Sequence, residues 1–346
     1  MTDAELAILI LWIFLFIYSI AGSIDFGAGF WAMVFGQRHD PKTAELANRF
    51  LSPSWKVTNV FLVLFVVALI GFFPRATSLL GAMLLLPASL AIALLILRSA
   101  FMVYAYSTHQ YRGLLPLVSG VTGLLIPGLL VSILPLTLGG FLDMSSDGPP
   151  KLLFLKLMTS PTEAAHLGFG ITTELFLSAL FLADYSRESN DEQAYQTYRK
   201  AAIALGPTTL AMALLTTYTF VPEARWIVSR LSEQWGWFTL SVASFAIGYT
   251  ALWWKDPKDR VGFIRVAVLA IVMQYGFASI GYGSAHMPYL IYPILTVEDA
   301  FTSSTMFNAL LVGYAIGIAL LIPLFIWFWR LFLKDKSYLV QERHED

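Results

Sequence analysis

Nine apolar runs, near residues 6–35, 56–73, 77–105, 114–139, 164–184, 200–221, 236–254, 261–283 and 306–333, decide what this chain can become. Each is close to or beyond the roughly 20 residues that a helix needs to cross a hydrocarbon core. They lack the alternation of barrel strands, and an open sheet cannot satisfy its backbone in lipid. The expectation is an all-α integral membrane protein, one polytopic domain over residues 1–346 with about nine transmembrane helices. The first, third and last runs are long enough to tilt or to continue past the interface. Only 13% of the residues are charged, against roughly a quarter in soluble domains. The first run lacks a basic leader and is too long for a cleavable signal, so it is expected to stay as the first span.

An odd number of spans puts the termini on opposite sides, and the basic residues orient them. One set of loops and the tail holds sixteen Lys and Arg residues, including Arg38, Lys56, Arg112, Arg199, Lys258 and Arg330. The other set holds five, and Arg98 lies inside a run. By the positive-inside bias the N-terminus is outside and the C-terminus cytoplasmic. Trp253-Trp254 and Trp327-Phe328-Trp329 fall where a cytoplasmic aromatic belt would lie. The net charge of −1 argues against nucleic acid as a partner, and the lack of cysteine excludes disulfides and thiolate metal sites.

Polar groups inside the runs carry the functional question. Asp25 shares a helix face with the small residues Ala21, Gly22, Ala28, Gly29 and Ala32, so it should face a neighbouring helix. Lys56 opens the second run and Arg98 lies late in the third, at the same cytoplasmic depth. Three readings stay open: a salt-bridged clamp, a proton or ion route from the cytoplasm, and exposure at the interface. Glu174 sits near the midplane of the fifth run without a basic residue in its own helix. It is expected to be a neutral, hydrogen-bonded glutamic acid, a group paired across a helix interface, or a proton-relay position. Glu163, His166 and His286 fall at the outer boundary, and His39, His109 and His344 in cytoplasmic segments. Two histidines at one level could hold a single heme, but are too few for a di-heme core.

Asp25-Phe26-Gly27-Ala28-Gly29 resembles the Asp-Phe/Met-Gly-Val-Gly signature of subunit II of cytochrome bd-type quinol oxidases. Pro53-Ser54-Trp55-Lys56-Val57-Thr58-Asn59 is similar to that family's Pro-x-Trp-Asp/Glu-Gly-Asn stretch at the start of helix two. Arg98 is similar to its helix-three arginine, and Asp299-Ala300-Phe301-Thr302-Ser303-Ser304 to its Asp-Ala-x-Ser-Ser stretch, with Pro288 and Pro293 ahead of it. The likeness covers essentially the whole chain. It implies two four-helix bundles plus one peripheral helix, in a bacterial or archaeal cell membrane. It also implies a subunit without redox centres, metal or heme ligands, or a complete active site. The hemes, two b-type and one d-type (or high-spin b), and the quinol site would belong to subunit I. The complex would oxidise quinol and reduce dioxygen to water with cytoplasmic protons. A structural quinone or lipid and a small single-span accessory subunit are compatible with it.

The departures are Lys56 where the family has an acid, Val57 for its glycine, Thr58 for its asparagine, and Val103 for a second acid. A cation beside Asp25 favours the charged carboxylate. An Asp25–Lys56 ion pair is therefore expected, the opposite of a group poised to pass protons, with the proton path running by another route through Glu174. The rival classes are a proton- or ion-coupled secondary transporter, a cytochrome b anchor using His166 and His286, and an assembly factor.

Overall fold

The computed structural model describes residues 1–37, 40–107, 114–143, 151–257 and 259–329, with the side chains of 37, 41, 51–57, 104–107, 328 and 329 set aside. Helix dominates. The long helices are α1 (Asp3–Gln37), α2 (Pro41–Phe72), α4 (Leu85–Ser107), α5 (Leu115–Val131), α8 (Pro161–Glu188), α9 (Glu192–Glu223), α11 (Trp235–Thr250), α12 (Ile264–His286) and α14 (Ser304–Trp329). Short helices join them: α3 (Pro74–Met83), α6 (Ile133–Thr137), α7 (Phe154–Met158), α10 (Arg225–Glu233) and α13 (Val297–Ala300). Two small antiparallel hairpins, Leu142–Asp143 with Lys151–Leu152 and Tyr289–Ile291 with Leu295–Thr296, lie in connecting segments and depart from an all-helical reading.

Among the described residues seven helices are long and apolar enough to cross a membrane, or eight if one bent pair counts as a span. Two of the nine expected runs account for the difference. The run at 236–254 folds as α11, only 16 residues long. The run at 56–73 is the other: Thr58–Phe72 of α2 counts as a span only together with α3, which turns from it by 114°, whereas the run at 77–105 supplies one of the seven as α4. Pro74 explains the turn: it has no N–H to continue α2 and disfavours helical geometry in Phe73, which sits at φ −131° and ψ 62°.

Helix α1 is the hub. It packs on α2, α5 and α8; α8 packs on α9 and α12, α11 pairs with α12, and α4 leans on α5. Side-chain contacts set their directions. Gly27 and Trp31 of α1 meet Glu174 and Ser178 of α8 in parallel order, whereas Trp12 and Phe16 meet Ser279 and Gly276 of α12 in reverse order. Few of α14's residues are buried. Its Val312, Ile316 and Leu320 are exposed, as are Ile92 and Ile96 of α4.

The loop between α11 and α12 is stapled to α8 and α9. Arg187 donates to the Val261 carbonyl at 2.8 Å and stacks 3.5 Å over the Tyr195 ring. Arg199 donates to the Leu252 carbonyl at 2.7 Å, and Asp256 accepts two bonds from the Arg260 side chain. Gly262 holds φ +94°, and a β-carbon there would collide with the Tyr195 hydroxyl. Gly262→Ala is therefore expected to destabilise the protein by about 1–3 kcal/mol, read as a lower denaturation midpoint of the purified protein.

Candidate functional site

The site forms because glycine lets three helices touch backbone to backbone. A β-carbon on Gly29 would lie 2.8 Å from the Ser119 carbonyl oxygen of α5, and one on Gly27 would lie 3.0 Å from the Glu174 carbonyl oxygen of α8. From the α5 side, a β-carbon on Gly123 would meet the Phe26 carbonyl oxygen at 2.5 Å. The face expected to admit a neighbouring helix therefore admits two, one on each flank of Asp25. Trp31 closes the seam by donating its indole N–H to Ser178 Oγ at 2.9 Å.

Arg98 of α4 enters this junction and is almost wholly buried. Its Nη1 donates to the Ser119 carbonyl at 2.6 Å and its Nη2 to the Asp25 carbonyl at 2.9 Å. The bond from Nη2 to Asp25 Oδ2 is longer, 3.4 Å, between side chains each 4% exposed. The Phe26 ring lies 5.1 Å from the guanidinium carbon. Arg98 thus pairs with Asp25, but its shortest bonds go to main-chain carbonyls of two other helices. The side chains of Lys56 and Trp55 lie outside those described, so the Asp25–Lys56 pair carries over as a proposal. A cavity of about 10 Å3 abuts Asp25 and Arg98, roughly the space of one water molecule. Its walls at Asn59, Leu95 and Ser99 also line a broad apolar groove of about 800 Å3 between α2 and α4.

Glu174 is fully buried, and neither carboxyl oxygen has a hydrogen-bond partner among the described residues. It lies within electrostatic reach of both Arg98 and Asp25. The structure therefore brings together two groups that the sequence placed at different depths. A fully buried carboxyl group without a partner is costly in either protonation state. Sequence reasoning missed Tyr18 and Ser119. Tyr18 sits two turns before Asp25 on the same face, buried, its hydroxyl unpartnered among the described residues. That spacing was visible in the sequence; nothing in it marked Ser119, whose role comes through its carbonyl.

The remaining candidates serve architecture. Thr296 and Asp299 form a reciprocal cap, with Thr296 Oγ1 donating to Asp299 Oδ2 at 2.5 Å and the Asp299 N–H donating to Thr296 Oγ1 at 3.1 Å. Ser303 Oγ accepts from the Met306 N–H at 3.3 Å, and Ser304 begins α14. Arg75 Nη1 donates to the Asp299 carbonyl at 2.9 Å, tying this cap to α3. His166 and His286 point their Nδ1 atoms at the carbonyls of Thr162 and Tyr289, 2.7 and 2.8 Å away. Their rings pack against Phe220 and Trp226, each at 5.4 Å, which is a poor fit to a heme slot between them.

The family model of cytochrome bd terminal oxidase subunit II matches residues 4–332. The chain is 43% identical over 343 residues, 99% of each protein, to a Bacillus subtilis (strain 168) protein named cytochrome bd menaquinol oxidase subunit II. It also resembles a chain of the solved bd oxidase structure from Geobacillus thermodenitrificans, with a TM-score of 0.82 and 35% identity over 97% of this chain and 100% of that one.

The close approach at Gly123 can be tested directly. Gly123→Ala is expected to push α1 from α5 and cost about 1–3 kcal/mol, seen as a lower yield and denaturation midpoint. Gly81→Ala, where nothing lies within 4 Å, is the control and should leave both unchanged.

Proposed function

Because the chain belongs to the cytochrome bd terminal oxidase subunit II family, we propose that it is the heme-free half of a menaquinol oxidase and carries part of that enzyme's proton route. Subunit II of a cytochrome bd-type oxidase implies a partner subunit I, and the transporter, cytochrome b anchor and assembly-factor readings give way to it. Menaquinol as the electron donor rests on the name of the Bacillus relative. The hemes b and d (or high-spin b) and the quinol site are assigned to the partner. The packing of His166 and His286 against aromatic rings supports that assignment. The exposed apolar residues of α2, α4 and α14, such as Ile70, Ile96 and Ile316, offer the partner a surface. A bacterial cell membrane, nine crossings and an outside N-terminus fit α11 as a short crossing. The grouping α1, α2, α4, α5 and α8, α9, α11, α12, with α14 at the edge, fits two four-helix bundles.

The observation that carries the proton role is one buried cluster, Asp25, Arg98 and Glu174, in an otherwise apolar bundle. Reducing dioxygen to water consumes protons, and the family's enzyme draws them across a membrane interior. Asp25 borders the water-sized cavity at Asn59 and Ser99; its cationic neighbours hold it as the carboxylate, so it takes a proton at Oδ only transiently. Glu174 receives it next. Arg98, fixed by two carbonyls, keeps its charge in place throughout and excludes other cations from the path. The chain binds no quinol in this scheme; a structural quinone or lipid, and a small accessory subunit, would be additions to it.

The test is to purify the tagged chain from its own membrane. Heme bands, a multi-span partner and menaquinol-dependent oxygen uptake are expected; a colourless chain without partner or oxygen uptake overturns the oxidase role. Glu174→Gln should assemble with normal heme content and Asp25→Asn at lower yield, since it also breaks the Asp25 ion pairs; per assembled heme, both should lose at least about tenfold in oxygen uptake. Full uptake in both variants removes the proton route. Lys56→Met is expected to lower the yield of assembled complex, and unchanged assembly counts against the Asp25–Lys56 pair.

A further inference from the structure

Tyr18 extends the buried face of α1 that carries Asp25. It lies seven residues before Asp25, two turns along the same face, and is 5% exposed. A β-carbon on Gly22, between them, would lie 3.8 Å from Tyr18 Cε2 and 3.4 Å from Phe26 Cε2. The Tyr18 ring therefore reaches the turn that precedes Asp25, whose β-carbon is about 5–6 Å from that of position 22 at a spacing of three. Phe26 in turn lies 5.1 Å from the Arg98 guanidinium carbon. The phenol is within electrostatic reach of both Asp25 and Arg98. Toward the N-terminus the same face continues as Phe14 and Leu11, both buried, so on this face the polar cluster ends at Tyr18.

Ring packing alone would be met by phenylalanine, as at Phe14, and a hydroxyl buried without a bond costs free energy. Tyr18 Oη has no partner among the described residues. Its neighbour Asp25 is held loosely: Arg98 bonds the two carbonyls at 2.6 and 2.9 Å, but Asp25 Oδ2 at 3.4 Å. That arrangement suits the carboxylate only. Once Asp25 takes a proton its carboxyl group must also donate, and arginine and lysine have donors but no acceptor. Neither Arg98 nor Lys56 can receive that bond, whereas a phenol oxygen can. Ser119 Oγ, also unpartnered among the described residues, lies instead beside Gly29 and Arg98 Nη1, one turn beyond Asp25.

We propose that Tyr18 is the alternate partner of Asp25, holding its carboxyl group in the protonated state as Arg98 holds it in the charged one. The carboxylate takes a proton at Oδ, leaves Arg98, and donates through that proton to Tyr18 Oη. Passing the proton on restores the carboxylate, which returns to Arg98. Tyr18 keeps its own proton throughout and is a positioning residue. Arg98 stays fixed by its two carbonyls, so the carboxyl group is the moving part, and its travel is one side-chain rotation. The structure corresponds to the charged state, with Asp25 on Arg98 and the phenol hydroxyl unpartnered among the described residues. The inference rests on the proton role proposed for Asp25 and gives the protonated form of that residue a place to sit.

The experiment compares Tyr18→Phe with the native assembled oxidase, by oxygen uptake per heme and by time-resolved infrared difference spectra during turnover. Phenylalanine keeps the ring over Gly22, so normal heme content is expected. Uptake should fall about fivefold, the worth of one hydrogen bond between neutral groups. The protonated-carboxyl band of Asp25, identified by its loss in Asp25→Asn, should move to higher frequency in Tyr18→Phe, because the acid has lost its acceptor. Native uptake or an unmoved band in Tyr18→Phe overturns the inference and leaves the proton route standing. Failure of the underlying reading looks different: Asp25→Asn then keeps full uptake per heme and removes no carboxyl band, and the inference falls with it.

Discussion

The hydrogen bonds from one buried guanidinium to two main-chain carbonyls hold the rest of this structure in place. Arg98 comes from α4 and bonds the carbonyls of Asp25 in α1 and Ser119 in α5. Helix carbonyls at mid-span are ordinarily occupied by their own ladder, and their second lone pair is free for such a donor. In lipid there is little hydrophobic force to bring helices together, so packing and polar contacts must do so. A permanent cation that bonds two neighbours can be placed only where their backbones already lie close. Gly29 and Gly123 provide that closeness. Arginine and glycine are thus one device, and Asp25 gains a fixed positive neighbour from it.

Much of this was legible in the sequence. Among the described residues each apolar run falls on a long helix, though only seven or eight can cross a membrane; the small-residue face around Asp25 announced a close helix contact, and Arg98 was placed at the depth of Asp25 while the pair was expected with Lys56. What the sequence could not supply was the bend after α2, because Phe73-Pro74 interrupts an apolar stretch without changing its hydropathy. It also could not join Glu174 to Asp25. Counting residues gives depth along each helix but not which faces meet, and the meeting depends on Gly27 admitting the α8 turn that carries Glu174. Asp299, Ser303 and Ser304 stood out as a motif, and the structure gives Asp299 and Ser303 capping bonds, a role that can be recognised only once the helix starts are known.

The distribution of burial separates the chain into an inward and an outward half. Around α1 and α8 the interior is dense with aromatic contacts, such as Trp31 stacked on Phe35 at 5.5 Å and edge-on to Tyr198. Helices α4 and α14 present bare aliphatic faces instead. A membrane subunit that functions in a complex is expected to look like this. The stable half carries its own clamp, and the other half has apolar surface to offer lipid or a partner.

The bend between α2 and α3 has a geometric consequence for that outward half. Ten residues of α3 are about 15 Å of helix, whereas two packed helices sit about 8–10 Å apart. Laid across the end of α2 at 114°, α3 acts as a spacer of fixed length, and the groove lined by Leu62, Val63, Ile92 and Ile96 is the gap it leaves. The width of that gap is therefore written in the number of residues between Pro74 and Met83. Each residue gained or lost there moves the start of α4 by about 1.5 Å and turns it by about 100°. Evolution can retune the groove by changing the length of one short helix, which alters both its width and which side chains of α4 face it without any substitution in α4 itself.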